Sequence, residues 1–286
     1  MIVFGGSRST GLGWEVAKIL GNDLGKSELA KFPDGELYIR IDTDVKGKEC
    51  ALIQSTRTNE DLIELLLTLD ALRGQGATQV HAVIPYMGYM RQDKIFKKGE
   101  ALSSKTVIKL VDEVSDSLSM VNCHFLNSEE EAFYHHTHIS NLNAIPLLAE
   151  YLRSKISKPM VIAPDKGSLG YAMETAKLLN CDFDHLQKTR VSGTEVVVKN
   201  KKLDVKGKDV IILDDIISTG GTIVEASRII RGWRPASINV GCVHGLFLKG
   251  VEMFQGVSDR LIATNTLDNP VAKVSVAGVI AKHLKK

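Results

Sequence analysis

The sequence predicts an α/β protein with two tandem, doubly wound parallel-sheet domains that are related by internal duplication. Two observations predict this fold. Short apolar runs alternate with helical patterns, which is typical of the βαβ units of parallel sheets, and the two halves of the chain resemble each other. The apolar runs lie at Met160 to Ala163, Val210 to Leu213 and Ser237 to Val243, and the helical patterns at Leu62 to Leu72 and Thr222 to Ile230.

The duplication is visible as three matches that occur in the same order. VFGGSRSTGLGWEVAKIL from Val3 resembles VIAPDKGSLGYAMETAKLL from Val161, with Ala17 aligned on Ala176, and the same offset of 159 residues carries Glu36 onto Glu195. Further along, RGQGATQVHAV from Arg73 resembles RGWRPASINVGCV at an offset of 158. Chance similarity between α/β units is the alternative, but a constant order and a near-constant offset favour duplication.

The predicted domains are residues 1–146 and 147–286. A boundary is expected between residues 143 and 156, because the apolar helical pattern IPLLAEYL leads there into the polar segment SKISKP, just before the second copy begins. The chain has no low-complexity segment and no long linker. Each half is long enough to bury a core of its own.

The composition is that of an ordinary globular protein. The 286 residues include 36 Lys and Arg and 34 Asp and Glu, so the formal net charge is +2, and 44% of the residues are hydrophobic. This balance argues against a dedicated nucleic-acid-binding protein, and no apolar stretch has the length of a membrane span. With no visible secretory signal, we expect a cytoplasmic protein that binds neither nucleic acid nor membranes. The four cysteines lie far apart in the sequence, which predicts buried thiols.

The most informative segment is VIILDDIISTGGTIVEASRII, residues 210–230. It predicts a strand that leads into Asp214 and Asp215, then a loop of small residues, then a helix. Backbone N–H groups in such a loop can approach a phosphate, and the helix adds its positive N-terminal dipole. The two carboxylates could accept hydrogen bonds from sugar hydroxyls or contact a divalent ion. The alternative is a glycine turn with a helix cap. The loop residues are Ser218, Thr219, Gly220, Gly221 and Thr222.

This segment resembles the phosphoribosyl-diphosphate binding motif of the phosphoribosyltransferase-type fold. The matching stretch of the first half, ALIQSTRTNEDLIELL, lacks both the paired acids and the glycines. The resemblance therefore implies one phosphoribosyl site per chain, in the second domain.

Other segments, in order over nearly the whole chain, resemble the ribose-phosphate diphosphokinase (phosphoribosyl pyrophosphate synthetase) family. They are FPDGE at residues 32–36, PYMGYMRQDK at 85–94, GEALSSKTVIKL from 99, PDKG from 164, KTR at 188–190 and TNT at 264–266. The resemblance implies transfer of the β,γ-diphosphoryl group of Mg-ATP to the anomeric hydroxyl of ribose 5-phosphate, with AMP as the leaving group. A phosphoribosyltransferase and a non-catalytic regulatory paralogue of the same fold are the alternatives.

The resemblance assigns ATP binding to two segments of the first domain. From the residues alone, FPDGE is an acidic glycine turn before the strand LYIRI, and the segment around residue 91 could equally be a solvated basic loop. A guanidinium suits contact with a phosphate. The family match selects Phe32, Asp34, Glu36, Arg91 and Gln92 as the ATP-binding residues.

The resemblance also implies Mg²⁺ as the cofactor, held by His124 and Asp165. The family pattern Asp-Leu-His reads Asn122-Cys-His here, so a neutral amide replaces the acid. Water can fill such a position, because Mg²⁺ usually keeps several waters. A separate cluster, HHTH at residues 135–138, lacks the partner motif of a zinc site, and we interpret it as a solvated or interface loop.

Lys188 and Arg190 follow the predicted strand 182–187 and precede TEVVVK, which indicates a hairpin-type loop. Exposed basic residues are usually only solvated. In the family this loop closes over ATP, so the resemblance gives both residues a catalytic role, offsetting charge on the transferring group, and Arg190 a part in binding ribose 5-phosphate. Asp214 is a candidate general base by proximity only. Because family ATP sites are completed by a neighbouring subunit, a homodimer or higher homo-oligomer is expected.

Overall fold

The computed structural model describes residues 1–126, 131–186, 188–190, 196–198 and 203–285. The chain forms two compact units. Unit 1 comprises Met1–Asn143 together with Ser275–Lys286, and unit 2 comprises Ala144–Val274. Within the described residues no helix is both long and apolar enough to cross a membrane.

Unit 1 contains a six-stranded sheet, a separate hairpin and three helices before the chain enters unit 2. Its elements in order are β1 (Ile2–Gly5), α1 (Thr10–Leu20), β2 (Ser27–Lys31), β3 (Leu37–Ile41), β4 (Glu49–Ile53), α2 (Asn59–Gly74), β5 (Gln79–Ile84), α3 (Ser103–Val114), β6 (Ser117–Val121), β7 (Glu131–Tyr134) and β8 (Thr137–Leu142). The strand order is β1-β4-β5-β6-β8-β7, and all pairs are parallel except the edge pair β7–β8. Strands β2 and β3 form the antiparallel hairpin.

Unit 2 has a second six-stranded sheet, which is parallel throughout. Its elements are α4 (Ile145–Arg153), β9 (Pro159–Ala163), α5 (Leu169–Leu179), β10 (Asp182–His185), β11 (Lys188–Arg190), β12 (Val196–Val198), β13 (Asp209–Ile217), α6 (Gly221–Gly232), β14 (Ser237–Gly245), a 3₁₀ turn (Glu252–Phe254), β15 (Arg260–Thr264) and β16 (Ala272–Val274). The order is β10-β9-β13-β14-β15-β16, and β11 and β12 form a hairpin. The chain then returns to unit 1 as α7 (Ala277–Leu284).

The two sheets repeat one topology, which confirms the predicted pair of parallel-sheet domains. Strands β1-β4-β5-β6-β8 of unit 1 run in the same order as β9-β13-β14-β15-β16 of unit 2. Each unit inserts a hairpin between its first two central strands, β2–β3 in one and β11–β12 in the other. Even the edge strand β10 has a counterpart, since Leu24 forms a single parallel bridge with Val3.

The strands form where apolar residues are buried on both faces, as parallel sheets covered by helices require. The core of unit 2 includes Ile212, Val240 and Ala263 from three adjacent strands. Cys50, Cys123 and Cys242 are buried, as predicted, whereas Cys181 is only half-buried at the end of α5.

The division at Asn143 lies close to the predicted limits of 1–146 and 147–286, but the last segment of the chain differs from them. Helix α7 belongs to unit 1, where it packs against α1. Its buried face consists of Ala277, Ile280 and Ala281, and His283 Nε2 lies 2.8 Å from Ser119 Oγ. A short helix with one apolar stripe must bury that stripe against another element. The sequence of α7 alone does not specify which domain provides that element.

Candidate active site

The paired acids lie inside a strand. The sequence predicts a strand that ends at the acids, but β13 continues through Ile217 because it pairs with β14 beyond them, with Asp214 opposite Cys242 and Ile216 opposite His244. Asp215 is buried, and Asp214 is only partly accessible to solvent. The acids therefore have a fixed backbone, and the loop that follows them is short.

The loop between β13 and α6 has the features of a phosphate cradle. Gly220 adopts a left-handed backbone, φ +81°, at the N-terminus of α6. A Cβ atom there would lie 2.9 Å from Phe254 Cζ and 3.1 Å from Met253 Sδ, so only glycine fits this turn. Thr219, Gly221 and Thr222 are exposed. Free backbone N–H groups at the start of a twelve-residue helix are suited to an anion.

A second loop meets the acids within the same unit. It follows β9, the neighbour of β13 in the sheet, and contains Asp165, whose Oδ1 accepts the backbone N–H of Gly167 at 2.9 Å. The buried Ser168 connects the two loops: its Oγ lies 2.9 Å from Asp214 Oδ1 and 3.3 Å from Asp165 Oδ1. The carboxyl ends of adjacent parallel strands thus bring three carboxylates into one region.

The environment of Asp214 changes its acidity. Burial, together with the charge of Asp215 and a hydrogen bond with it, raises the pKa of Asp214 to about 8, and the hydrogen bond from Ser168 opposes the change. Two neighbouring carboxylates in a desolvated setting do not both ionise readily. Burial also raises the pKa of the Cys242 thiol on the adjoining strand, so that thiol stays protonated.

The carboxylate region fits a magnesium ion that is partly held by its substrates. Asp165, Asp214 and Asp215 supply hard oxygen donors, which Mg²⁺ prefers. Across the part of the chain that the structure describes, no group of three or more His, Cys, Asp or Glu side chains could hold a metal ion. A divalent ion here would therefore complete its shell with phosphate oxygens and water, which is the usual mode for Mg²⁺.

His124 lies in unit 1 and Asp165 in unit 2. His124 is exposed and follows β6, as the sequence predicts. Asn122, which replaces the family acid, is buried and adopts φ +42°, a left-handed conformation that Asn tolerates better than most residues. Its Nδ2 donates to Asn143 Oδ1 at 3.2 Å.

The FPDGE segment is the tight turn of the hairpin β2–β3. Phe32 N–H donates to the carbonyl of Glu36 at 2.8 Å, Gly35 has φ +97°, and Asp34 Oδ1 accepts the N–H of Glu36 at 3.2 Å. Phe32 is half-exposed and contacts Tyr38 edge to face. Gly35 and Glu36 border a groove of about 500 Å³ on unit 1. Its other lining residues are Leu37, Asn59, Glu60, Ile63 and Leu67.

The second predicted ATP segment reaches the same groove. Arg91 is exposed, and Gln92 Nε2 donates to the carbonyl of Lys94 at 2.9 Å and to Glu100 at 3.2 Å. The Tyr89 hydroxyl hydrogen-bonds Asn59, which lines the groove. The structure therefore brings both predicted ATP segments to the N-terminus of α2, although the Gln92 amide already bonds within its own loop.

Lys188 and Arg190 are the ends of β11, so the predicted hairpin is present and they lie on a strand of it rather than on its loop. Their side chains are outside the part of the chain that the structure describes. His135 and His136 form the exposed turn between β7 and β8, whereas Thr137, which is buried, and His138, which is exposed, begin β8. His138 Nε2 lies 3.2 Å from Glu131 Oε2 on β7.

Unit 1 fills the corresponding position with its own side chains. The strand registers place Gln54 where unit 2 has Asp214. The buried Glu64 of α2 accepts the N–H of Ser7 at 2.7 Å, the hydroxyl of Ser7, and Gln54 Nε2 at 2.9 Å. The Glu64 carboxylate thus already accepts the hydrogen bonds that Ser7 and Gln54 donate. Sequence reasoning missed both Glu64 and Ser168, although Ser168 aligns with Ser9 in the repeat and each precedes a helix.

The chain is similar to known proteins in both of its units. Residues 1–114 match the N-terminal domain of ribose phosphate pyrophosphokinase, and residues 133–252 match the phosphoribosyl transferase domain. The ribose-phosphate pyrophosphokinase of Methanothermobacter thermautotrophicus is 42% identical over 99% of this chain and 100% of its own length. Ribose-phosphate pyrophosphokinase 2 of Archaeoglobus fulgidus is 39% identical over 94% of each chain.

Among solved structures, phosphoribosylpyrophosphate synthetase from Mycobacterium smegmatis superposes with a TM-score of 0.86 at 26% identity, covering 100% of this chain and 97% of that one. Both the superposition and the sequence similarity extend across nearly the whole chain. The chain belongs to the ribose-phosphate pyrophosphokinase family.

Proposed function

We propose that this ribose-phosphate pyrophosphokinase binds ribose 5-phosphate in unit 2 and ATP through unit 1. It transfers the β,γ-diphosphoryl group of ATP to the anomeric hydroxyl of the sugar, giving 5-phosphoribosyl 1-diphosphate and AMP. The observation that carries the proposal is the segment from Asp214 to Thr222, in which two desolvated acids near the end of β13 and the N-terminus of α6 lie at opposite ends of one short stretch of chain.

Ribose 5-phosphate spans that segment. Its phosphate accepts hydrogen bonds from the loop before α6, and its ring hydroxyls donate to Asp214 and Asp215. The left-handed Gly220 supports this assignment, because the turn that presents the loop N–H groups packs so closely on Phe254 that it has no room for a Cβ atom. The phosphate-binding residues are Ser218, Thr219, Gly220, Gly221 and Thr222, with Arg190 as an additional contact.

ATP binds through the FPDGE turn and the loop that follows β5. Phe32 is exposed enough to contact the base, and Asp34 and Glu36 offer acceptors to it, whereas Arg91 supplies positive charge for the phosphates. Gln92 orders the loop that carries Arg91 through its bonds to Lys94 and Glu100. We propose that the FPDGE turn contributes to the ATP site of a neighbouring subunit, so that a homodimer is the smallest active unit. We also propose that the protein is cytoplasmic, as expected from the sequence.

Asp165 and His124 would hold Mg²⁺, with the substrates completing its shell. When bound, the ion neutralises charge on the diphosphate and orients it. The oxygen donors around Ser168 support this choice of cofactor.

In the transfer, the anomeric oxygen forms a bond to the β-phosphorus of ATP, the bond between that phosphorus and the bridging oxygen to the α-phosphate breaks, and AMP departs with the bond electrons. Such reactions depend on alignment and on charge stabilisation more than on a covalent nucleophile. Lys188 and Arg190 stabilise the charge that builds up on the transferring group. We assign no group to remove the hydroxyl proton.

The test is formation of AMP and 5-phosphoribosyl 1-diphosphate from ATP, Mg²⁺ and ribose 5-phosphate, by the wild type, Lys188→Ala and Lys177→Ala. Lys177 is an exposed cation on α5 and serves as the matched control. We expect product from the wild type and Lys177→Ala, and a loss of roughly 10²–10³ in kcat for Lys188→Ala.

Equal activity of all three proteins would remove the catalytic role of Lys188 and keep the reaction. Product that forms only when a nucleobase is supplied would instead indicate a phosphoribosyltransferase. Binding of ribose 5-phosphate without any product would indicate a regulatory paralogue, and Asn122 would then be the first residue to replace with the family acid.

A further inference from the structure

Unit 2 carries a cavity at the end of its sheet opposite to the sugar-phosphate loop. The cavity has a volume of about 550 Å³ and lies beside the segments that lead into β13 and β14. Its size is within the range of small-molecule sites, roughly 300–1,000 Å³. The lining residues are Leu203, Asp204, Lys206, Gly232, Trp233 and Arg234.

Two cations of this cavity have no counter-charge among the described residues. Lys206 and Arg234 are exposed, and neither makes an ion pair or a side-chain hydrogen bond within the ranges that the structure describes. The acid of the cavity, Asp204, is already paired with Lys208 at 3.5 Å. The cavity therefore presents a net positive charge and favours an anionic ligand.

The position of Arg234 is determined by its backbone. The residue has φ +60°, a left-handed conformation that is unusual for arginine. Its carbonyl accepts the N–H of Gly207 at 3.0 Å, and its N–H donates to the carbonyl of Arg231 at 3.1 Å. The bond from Gly207 joins the two segments that border the cavity, so the backbones of Lys206 and Arg234 are held close to each other.

Trp233 adds a flat apolar surface to the lining of the cavity. It caps α6 and packs partly against the core of unit 2, and the rest of the side chain lines the cavity. An indole held in this way offers its face to a planar ring, while an arginine and a lysine are the side chains that bind phosphate groups. Ring recognition and phosphate recognition are thus combined in one cavity.

We propose that this cavity binds a nucleoside phosphate, with the base against Trp233 and the phosphate between Lys206 and Arg234. The site is separate from the one that binds ribose 5-phosphate. Strand β13 runs from one to the other over nine residues, a length of roughly 25–30 Å. The inference goes beyond the proposed diphosphoryl transfer and does not depend on it.

The chain contains two tryptophans, Trp14 and Trp233, so Trp14→Phe leaves a single fluorescent reporter in the cavity. The fluorescence of this variant is titrated with AMP, with adenosine and with ribose 5-phosphate. AMP combines ring and phosphate, whereas adenosine lacks the phosphate and ribose 5-phosphate lacks the ring. We expect saturable quenching by AMP, and at least tenfold weaker apparent affinity for each of the other two.

Three further variants in the same background locate the signal. Arg234→Gly removes the charge and suits the left-handed backbone, so it should fold; Lys206→Gln removes the other cation. Each should weaken AMP binding at least fivefold, whereas Lys177→Gln, a charge removal on α5, should not change it. Diphosphoryl transfer without added AMP should be unaffected in all three.

No quenching by AMP, or quenching that is unchanged in both Arg234→Gly and Lys206→Gln, would overturn the proposal. Equal affinity for AMP and ribose 5-phosphate would overturn the role of Trp233, and equal affinity for AMP and adenosine would overturn the role of the cations. Because diphosphoryl transfer is assayed separately, failure of this proposal and failure of the proposed function are distinguishable.

Discussion

The side-chain hydroxyl of Ser168 donates a hydrogen bond of 2.9 Å to Asp214 Oδ1. These residues are 46 positions apart. The bond joins the loop after β9, which carries Asp165, to strand β13, which carries Asp214 and Asp215. The same hydroxyl lies 3.3 Å from Asp165. Ser168 is therefore the residue on which the relative position of the three carboxylates depends.

Ser168→Ala should raise the KM for ribose 5-phosphate by about three- to tenfold, because Asp214 loses the bond that orients it. Steady-state kinetics with each substrate varied in turn checks this, and the KM for ATP should change little. Ser157→Ala is the matched control, since Ser157 makes a similar bond to Asp209 at the other end of the same strand. Equal effects in both variants would show a loss of strand stability rather than a local role.

Asp214→Asn should stabilise the ligand-free protein at high pH. The folded chain holds the Asp214 proton up to about pH 8, whereas the unfolded chain releases it near pH 4. The stability of the wild type therefore falls as the pH rises between these values, and the amide, which cannot ionise, avoids that loss. In thermal denaturation without Mg²⁺ we expect the variant to melt roughly 2–8 °C higher at pH 9 and no higher at pH 5.

The control for this experiment is Asp204→Asn, which changes an acid whose side chain is 87% exposed. It should show no comparable dependence on pH. If Asp214→Asn melted like the wild type at both pH values, the raised pKa of Asp214 would be contradicted.

Gly220→Ala should impair the phosphate loop. The added Cβ meets Phe254 at 2.9 Å and the backbone has a positive φ, a conformation that costs a residue with a side chain about 1–2 kcal/mol. We expect a KM for ribose 5-phosphate at least tenfold higher, because the loop N–H groups must move. Gly170→Ala on α5 is the control: it has open space, and alanine there should stabilise the helix by up to about 1 kcal/mol. A Gly220→Ala enzyme with an unchanged KM would rule out this loop as the phosphate site.

Glu64→Ala should destabilise unit 1 by about 2–4 kcal/mol, because it leaves the N–H of Ser7, its hydroxyl and the Gln54 amide without their acceptor. Urea denaturation followed by circular dichroism measures the loss. Glu60→Ala removes an exposed partner of Lys31 from the same helix, and should cost less than about 1 kcal/mol. Similar losses in the two variants would contradict the buried network.

The sequence repeat was enough to predict both sheets, because the alternation of apolar runs and helical patterns is a local property that each half carries in full. The segment from Ser218 to Thr222 could be located in the same way, because glycines and hydroxyl residues that follow a strand are typical of a tight turn before a helix. The resemblance of FPDGE and of the PYMGYMRQDK segment to a known family selected residues that periodicity alone would have left as turns.

Other features depend on contacts between distant parts of the chain. The extension of β13 past Leu213 requires its pairing with β14, and the return of α7 to unit 1 requires an apolar partner that is more than 250 residues away in sequence. Three hydrogen bonds also depend on residues that are distant in sequence. They join Ser168 to Asp214, Gln54 to Glu64, and Tyr89 to Asn59. Local residue patterns record which conformations each segment prefers, but the ionisation and orientation of side chains are decided only when folding excludes water and brings remote donors within hydrogen-bond distance.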